Sequence, residues 1–182
     1  SDGNRPADIY AGDGSLGAVV TTVHRDPSVT SLRSRAVVGG FDGRLRFGGG
    51  NYAAAGYMMQ SEVAGTPRAI TETQESTVHL YQRPDAGHLR FDSTRTTLGG
   101  YASEVRLVKN GGGNVRWGMV GHFTTPGFET NDLGYLQRAD QRLVTGWVGW
   151  VGHRPSRHAR SWSLWTNYWG GWDYAGDRLR LG

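Results

Sequence analysis

Three observations predict an all-β chain arranged as an antiparallel up-and-down meander. Apolar and polar residues alternate along RAVVGGFDGRLRF (Arg35–Phe47), Gly/Asp/Asn turns separate a series of such runs, and no segment keeps a sustained helical period. Glycine also supplies 29 of 182 residues, roughly twice its usual share of about 7%. It follows no G-X-Y period. Beside aromatics and inside alternating runs it suits turns, bulges and small strand positions.

In chain order, the opening RPADIYAGDGS reads as a loop with turn chemistry at Asp13-Gly14, and SLGAVVTTV (Ser15–Val23) as a first, β-branched strand. HRDPSVTSLRS is a loop turned by Asp26-Pro27. Along Arg35–Phe47, residues Val37, Gly39, Phe41, Gly43, Leu45 and Phe47 share one face, while Val38, Gly40, Asp42, Arg44 and Arg46 share the other. GGGN (48–51) is a hairpin turn into YAAAGYMMQSEV, and a polar stretch from Ala64 to Glu75 breaks the pattern. TVHLYQR, a Pro84–Gly87 turn and HLRFDSTRTTL predict a further hairpin; SEVRLVK, NGGGN and VRWGMVGHF predict the next. There Val115, Trp117, Met119, Gly121 and Phe123 oppose Arg116, Val120 and His122. RLVTGWVGWVG, SWSLWTNYW and DYAGDRLRL complete about nine or ten strands. NDLGYLQRAD permits one or two helical turns capped by Asp132.

Two architectures share this pattern: an outer-membrane β-barrel, whose apolar face meets lipid, and a soluble β-sandwich, whose apolar face meets a second sheet. The longest near-apolar run, VTGWVGWVG (Val144–Gly152), falls short of the roughly 20 residues of a membrane helix but is close to the roughly 9–11 of a tilted membrane strand. Trp147, Trp150, Trp162, Trp165, Trp169 and Trp172 crowd into the last three strands, several near strand ends, as an interfacial girdle requires. In a sandwich the same residues would be core or sugar-stacking platforms. The expectation is a single barrel segment spanning 1–182, with the sandwich as the alternative.

TTPGFETNDLGYLQRADQR (Thr124–Arg142) interrupts the alternation with Pro126-Gly127, two aromatics, the acids Glu129, Asp132 and Asp140, and Arg138 and Arg142. Within it, PGFETNDLGYLQRAD resembles the PGF…NDLGFLRRAD signature of the DUF5916 family of bacterial envelope proteins. SRAVVGGFDGRLRF resembles that family's R-V-x-G-x-D-F-x-x-R strand, and NYAAAGYMMQS holds the place of its next strand. Gly43 departs from a usually larger residue, and Gln137 from a common arginine.

The resemblance covers most of the chain and implies an outer-membrane β-barrel, often preceded by a domain similar to family 9 carbohydrate-binding modules, in proteins several times longer. It implies a barrel piece incomplete at both ends. Gly182 in place of a terminal aromatic, and a start without an export signal, agree with that expectation. The implied partners are outer-membrane lipid and a carbohydrate or another polar solute, in the bacterial outer membrane; the sandwich would be periplasmic or secreted. Asp42, Arg44, Arg46, Glu129, Asn131, Asp132, Arg138, Asp140 and Arg142 form the expected polar network of lumen and connector. In it Phe128 and Tyr135 anchor the connector, and its acids pair with Arg44, Arg46 and Arg142.

Other chemistries find less support. The chain has no cysteine, hence no disulfide or thiolate metal site. Its formal charge is +4 and Lys109 is the only lysine; arginine suits carboxylate or phosphate. Only RPSRHAR (Arg154–Arg160) is densely basic, and no basic stripe with stacking aromatics marks nucleic acid as a partner. Glu129, Asp132 and Asp140 supply the residue type a glycosidase pairs, at spacings common by chance. His24, His79, His88, His122, His153 and His158 make no H-x-x-x-H pair. There is no G-x-S-x-G elbow, phosphate loop or dinucleotide fingerprint. Asp2-Gly3, Asp13-Gly14 and Asp42-Gly43 sit outside any calcium-loop pattern. No catalytic residue, metal ligand or cofactor is expected.

Overall fold

In the computed structural model, which describes residues 12–26, 28–152 and 159–181, eight strands form one antiparallel sheet in sequence order. They are β1 (Asp13–His24), β2 (Arg35–Phe47), β3 (Tyr52–Ala64), β4 (Thr97–Lys109), β5 (Val115–Thr124), β6 (Gln141–Gly152), β7 (Trp162–Trp172) and β8 (Arg178–Leu181). One helix, α1 (Pro67–Glu75), lies between β3 and β4. Among the described residues the sheet is not closed: β1 pairs with β2 alone and β8 with β7 alone. The expected all-β meander is therefore present. Asp2-Gly3, the rest of the opening loop to Ala11, Pro27, His153, His158 and most of the basic run from Arg154 fall outside the described residues.

The simple alternation of strands puts β1–β2, β3–β4, β5–β6 and β7–β8 connections at one end of the sheet. The first three of those connections are long, and the β7–β8 turn spans only 173–177. The opposite end carries tight turns, where Gly48, Gly49 and Gly50 take φ of +61°, +63° and +82° and Gly112 and Gly113 take +71° and +112°. Only glycine adopts such angles without strain. The Asn51 carbonyl accepts from the Asn110 and Gly111 amides at 2.8 and 3.2 Å, tying the two turns together.

Strand register creates the core. Val23, Ala36, Val63 and Leu98 lie in one row across β1–β4. Ile70 from α1 and Tyr81 close over this row, with Leu89 and Leu133 packed beside them. Ile70 is fully buried, a contribution of about 1.5–3 kcal/mol. One face of the sheet is thus covered at its long-connection end by α1 and the connectors. The other face is bare: Leu16, Val20, Phe41, Leu45, Met58, Val105, Met119 and Leu164 are all exposed on it.

Several sequence expectations need correction. The predicted hairpin over 77–98 does not form; α1 and a coil replace it, and β4 runs unbroken through Gly99 and Gly100. Side chains hold this coil where a ladder was expected: Gln74 donates to the Asp92 carbonyl at 2.8 Å and accepts the Asp92 amide at 3.0 Å. The helix itself carried an overlooked signal. Thr66 caps it by accepting the Ala69 amide, and Pro67 occupies its first turn. NDLGYLQRAD forms turns, not a helix, and Asp132 pairs with arginines instead of capping. Asp13-Gly14 begins β1 and is no turn, and the segment 173–177 turns before β8. Eight strands stand where nine or ten were expected.

The β5–β6 connector rests directly on β4. A Cβ on Gly100 would collide with the Phe128 amide and Thr125 Oγ1. We expect Gly100→Val to lift the connector at a cost of about 1–3 kcal/mol. The check is amide exchange: protection at Phe128 and Glu129 falls while the strand amides of β2 and β3 keep theirs.

Candidate functional site

The connector's first acidic residue is its most deeply set. Phe128 is buried against the sheet, and the Glu129 amide donates to Ser61 Oγ of β3 at 2.9 Å. This drives the Glu129 carboxylate inward, where it is 2% exposed. An ionised group so placed needs donors from several directions. Arg33 of the β1–β2 connector stands 3.2 Å from Oε2, His79 Nε2 lies 2.9 Å from the same oxygen, and the Asn131 amide donates to Oε1 at 2.6 Å. The Pro126 carbonyl can only accept, so His79 Nδ1, 2.8 Å away, carries hydrogen there. Burial is the strongest single influence on Glu129 and pushes its carboxyl up. The His79 and Asn131 hydrogen bonds and the Arg33 charge outweigh it, holding the carboxyl below the usual glutamate range. Asp132 extends the cluster, with Arg25 at 2.7 Å and Arg33 at 2.6 Å.

A second cluster sits at the connector's other end. Asp140 takes φ of +53°, a strained angle for a side-chain-bearing residue. Its carboxylate meets His88 Nε2 at 3.0 Å and Arg83 at 3.5 Å, and accepts the Tyr174 amide at 3.0 Å. Asp173 lies beside it, accepting the Gly176 and Asp177 amides at 2.9 and 2.8 Å. His88, Asp140 and Asp173 bring ligand-type atoms within 4.8 Å of one another. Arg83 stands 3.5 and 3.8 Å from the two carboxylates and already compensates their charge.

The nine expected network residues do not converge. Glu129, Asn131 and Asp132 belong to the first cluster and Asp140 to the second. Asn131 Oδ1 also accepts the Leu136 amide at 2.7 Å. The expected pairing of these acids with Arg44, Arg46 and Arg142 is corrected. Asp42, Arg44 and Arg46 lie exposed on β2 beyond the connector's reach, and Arg142 donates to the Asp173 carbonyl at 2.6 Å while stacking on Tyr174. Arg25, Arg33, His79, Arg83, His88 and Asp173 were missed, because no local motif links residues so far apart in sequence. Among the described residues Arg138 has no ion-pair partner, and it lines a pocket of about 470 Å3 with Tyr57, His122, Tyr135, Gln137 and Gln141.

The six tryptophans divide between the faces, since cross-strand partners share a face. Trp147 pairs with Asn167 in register and packs against Trp165 at 5.3 Å, and with Trp169 they lie on the face the connectors cover. Trp150, Trp162 and Trp172 lie on the bare face.

A family model described as "Domain of unknown function (DUF5916)" matches residues 49–176, well over half of the chain. No curated protein and no solved structure matches it.

Two outcomes follow from the first cluster. Glu129→Gln leaves Arg33 and His79 without their shared charge and should destabilise the connector by about 3–5 kcal/mol, measured by amide exchange or denaturant titration. Glu129's folded value is depressed, so its stabilisation is complete above the ordinary glutamate range and is lost as pH falls through the lowered value. Connector protection should therefore decline below about pH 4, with a weaker decline in Glu129→Gln.

Proposed function

This chain belongs to the DUF5916 family, and we propose from its geometry that it is a lipid-facing segment of an outer-membrane β-barrel that handles a carbohydrate or another polar solute on its inner face. The observation that carries this reading is the contrast between the two faces of one sheet. Leu16 is 93% exposed, Val20 76%, Phe41 62% and Leu164 63%, all on the bare face. A water-soluble surface rarely presents so continuous an apolar patch; hydrocarbon suits it. On the opposite face, beyond the connectors, stand Asp42, Arg44, Arg46, Glu104, Arg106 and His122, with Tyr57, Ala55 and Ala53 of β3 between β2 and β4. That mixture of charge and small side chains suits a wet lumen.

Strand length supports the same reading. β1 to β7 run 10–13 residues, about twice the mean strand of soluble domains. At about 3.3 Å per residue and a tilt near 45° they span roughly 23–30 Å, which matches an apolar band about 25 Å tall. The connectors and α1 stand across the inner face at one end, so a solute is held beneath them and passes only if they move. Trp165 and Trp169, about half exposed on this polar face, add ring surfaces on which a sugar can stack.

Adjacent residues of β2 test the reading on the full-length protein. Phe41→Arg places a charge on the lipid face, at a cost of about 2–4 kcal/mol near the bilayer midplane. It should reduce the boiling-sensitive, fast-migrating form recovered from outer membranes. Asp42→Arg, one residue on, faces the lumen and should leave that form intact. Detergent-independent solubility, with migration unchanged by boiling, would overturn the barrel and favour a sandwich with a second sheet over the bare face.

A further inference from the structure

We infer that the pocket between the connector and β3–β5 is a binding site for a small hydroxylated carboxylate, of about monosaccharide size, with Arg138 as the group that holds its acid. The inference rests on the reading of the covered face as a solute-handling surface and names the solute's chemistry. Of the four charged residues between Pro126 and Asp140, Glu129, Asp132 and Asp140 are each engaged in ion pairs. Arg138 is the exception. Its backbone carbonyl accepts from Gln141 Nε2 at 3.1 Å, while no charged group among the described residues meets its guanidinium.

The surroundings explain what an unspent guanidinium is for. The pocket's volume of about 470 Å3 lies within the usual range of small-molecule sites. Guanidinium recognises a carboxylate by two parallel hydrogen bonds. Tyr57 and Tyr135 supply ring surface. The Gln137 and Gln141 amides each use one N–H, on Tyr135 OH at 3.2 Å and on the Arg138 carbonyl at 3.1 Å, and keep the oxygen and the second N–H for hydroxyls. Glu104, which stands 3.7 Å from the pocket's His122, is compensated by Arg106 at 3.3 Å. A neutral sugar would leave Arg138 unanswered, and an apolar acid would leave the amides unanswered. A solute with both groups satisfies the site.

Calorimetric titration of the full-length protein in detergent tests this with three probes: glucuronate, glucose and cyclohexanecarboxylate. Glucuronate should bind at least about tenfold more tightly than either comparison, and Arg138→Gln should weaken it about 10- to 100-fold. Gln137→Arg adds a second guanidinium to the pocket and should raise the preference for glucuronate over glucose. Equal binding of the three probes would overturn the site. So would native-like glucuronate affinity in Arg138→Gln, or no glucuronate binding at millimolar concentration. The boiling-sensitive migration of each preparation is recorded beside its titration. A loss of glucuronate affinity therefore counts only in protein that migrates as the native form does, and a failed barrel shows in the migration itself.

Discussion

The Glu129 carboxylate is the constraint on which the covered end of the sheet depends. Buried charge is tolerated only when donors reach it. Here the donors come from Arg33, His79 and Asn131, while Ser61 fixes the backbone that carries the carboxylate. Four segments distant in sequence are thereby held to one point. Such an arrangement specifies position more than it adds stability, because removing any partner strands the others in a dry site. Asp140 repeats the device on the other side, joining the β3–β4 connector to the turn before β8. Its left-handed backbone persists because His88, Arg83 and Tyr174 all converge on its carboxylate.

The rest of the molecule follows from how little apolar packing it has. The core is a single row, Val23, Ala36, Val63 and Leu98, capped by Ile70 and Tyr81. Most of the larger apolar side chains instead point away from it, onto the bare face. A domain stabilised by water's exclusion would place them the other way round. Backbone hydrogen bonds therefore define the sheet, and ion pairs define what lies across it.

Alternation announced the sheet well. Its period of two assigned Phe41 and Asp42 to opposite faces, and the glycine-rich turns marked the tight ends. What alternation cannot convey is whether a two-period run lies in a ladder or in a coil pinned by side chains. TVHLYQR shows why: His79 and Tyr81 point inward as strand residues would, yet they meet Glu129 and the core row through turns. The connector's importance was visible in its composition, but its partners were not. Arg33, His79 and Arg83 join it through contacts 50 or more residues away, and no local spacing records such contacts. The Thr66-Pro67 pair, by contrast, was an available helix signal that the absence of an apolar period obscured.

The strict up-and-down order carries a rule of parity. With eight strands in alternation, β1 and β8 run in opposite senses. The two edges can therefore meet each other directly as an antiparallel pair. If further strands intervene, their number must be even for every neighbour to remain antiparallel. An odd number would force one parallel pair, with slanted hydrogen bonds and a long crossover in place of a turn. The short strand β8 is matched to β7 only at Gly170, Gly171 and Trp172, so among the described residues most of β7's far edge, from Trp162 to Trp169, offers its backbone groups to no ladder.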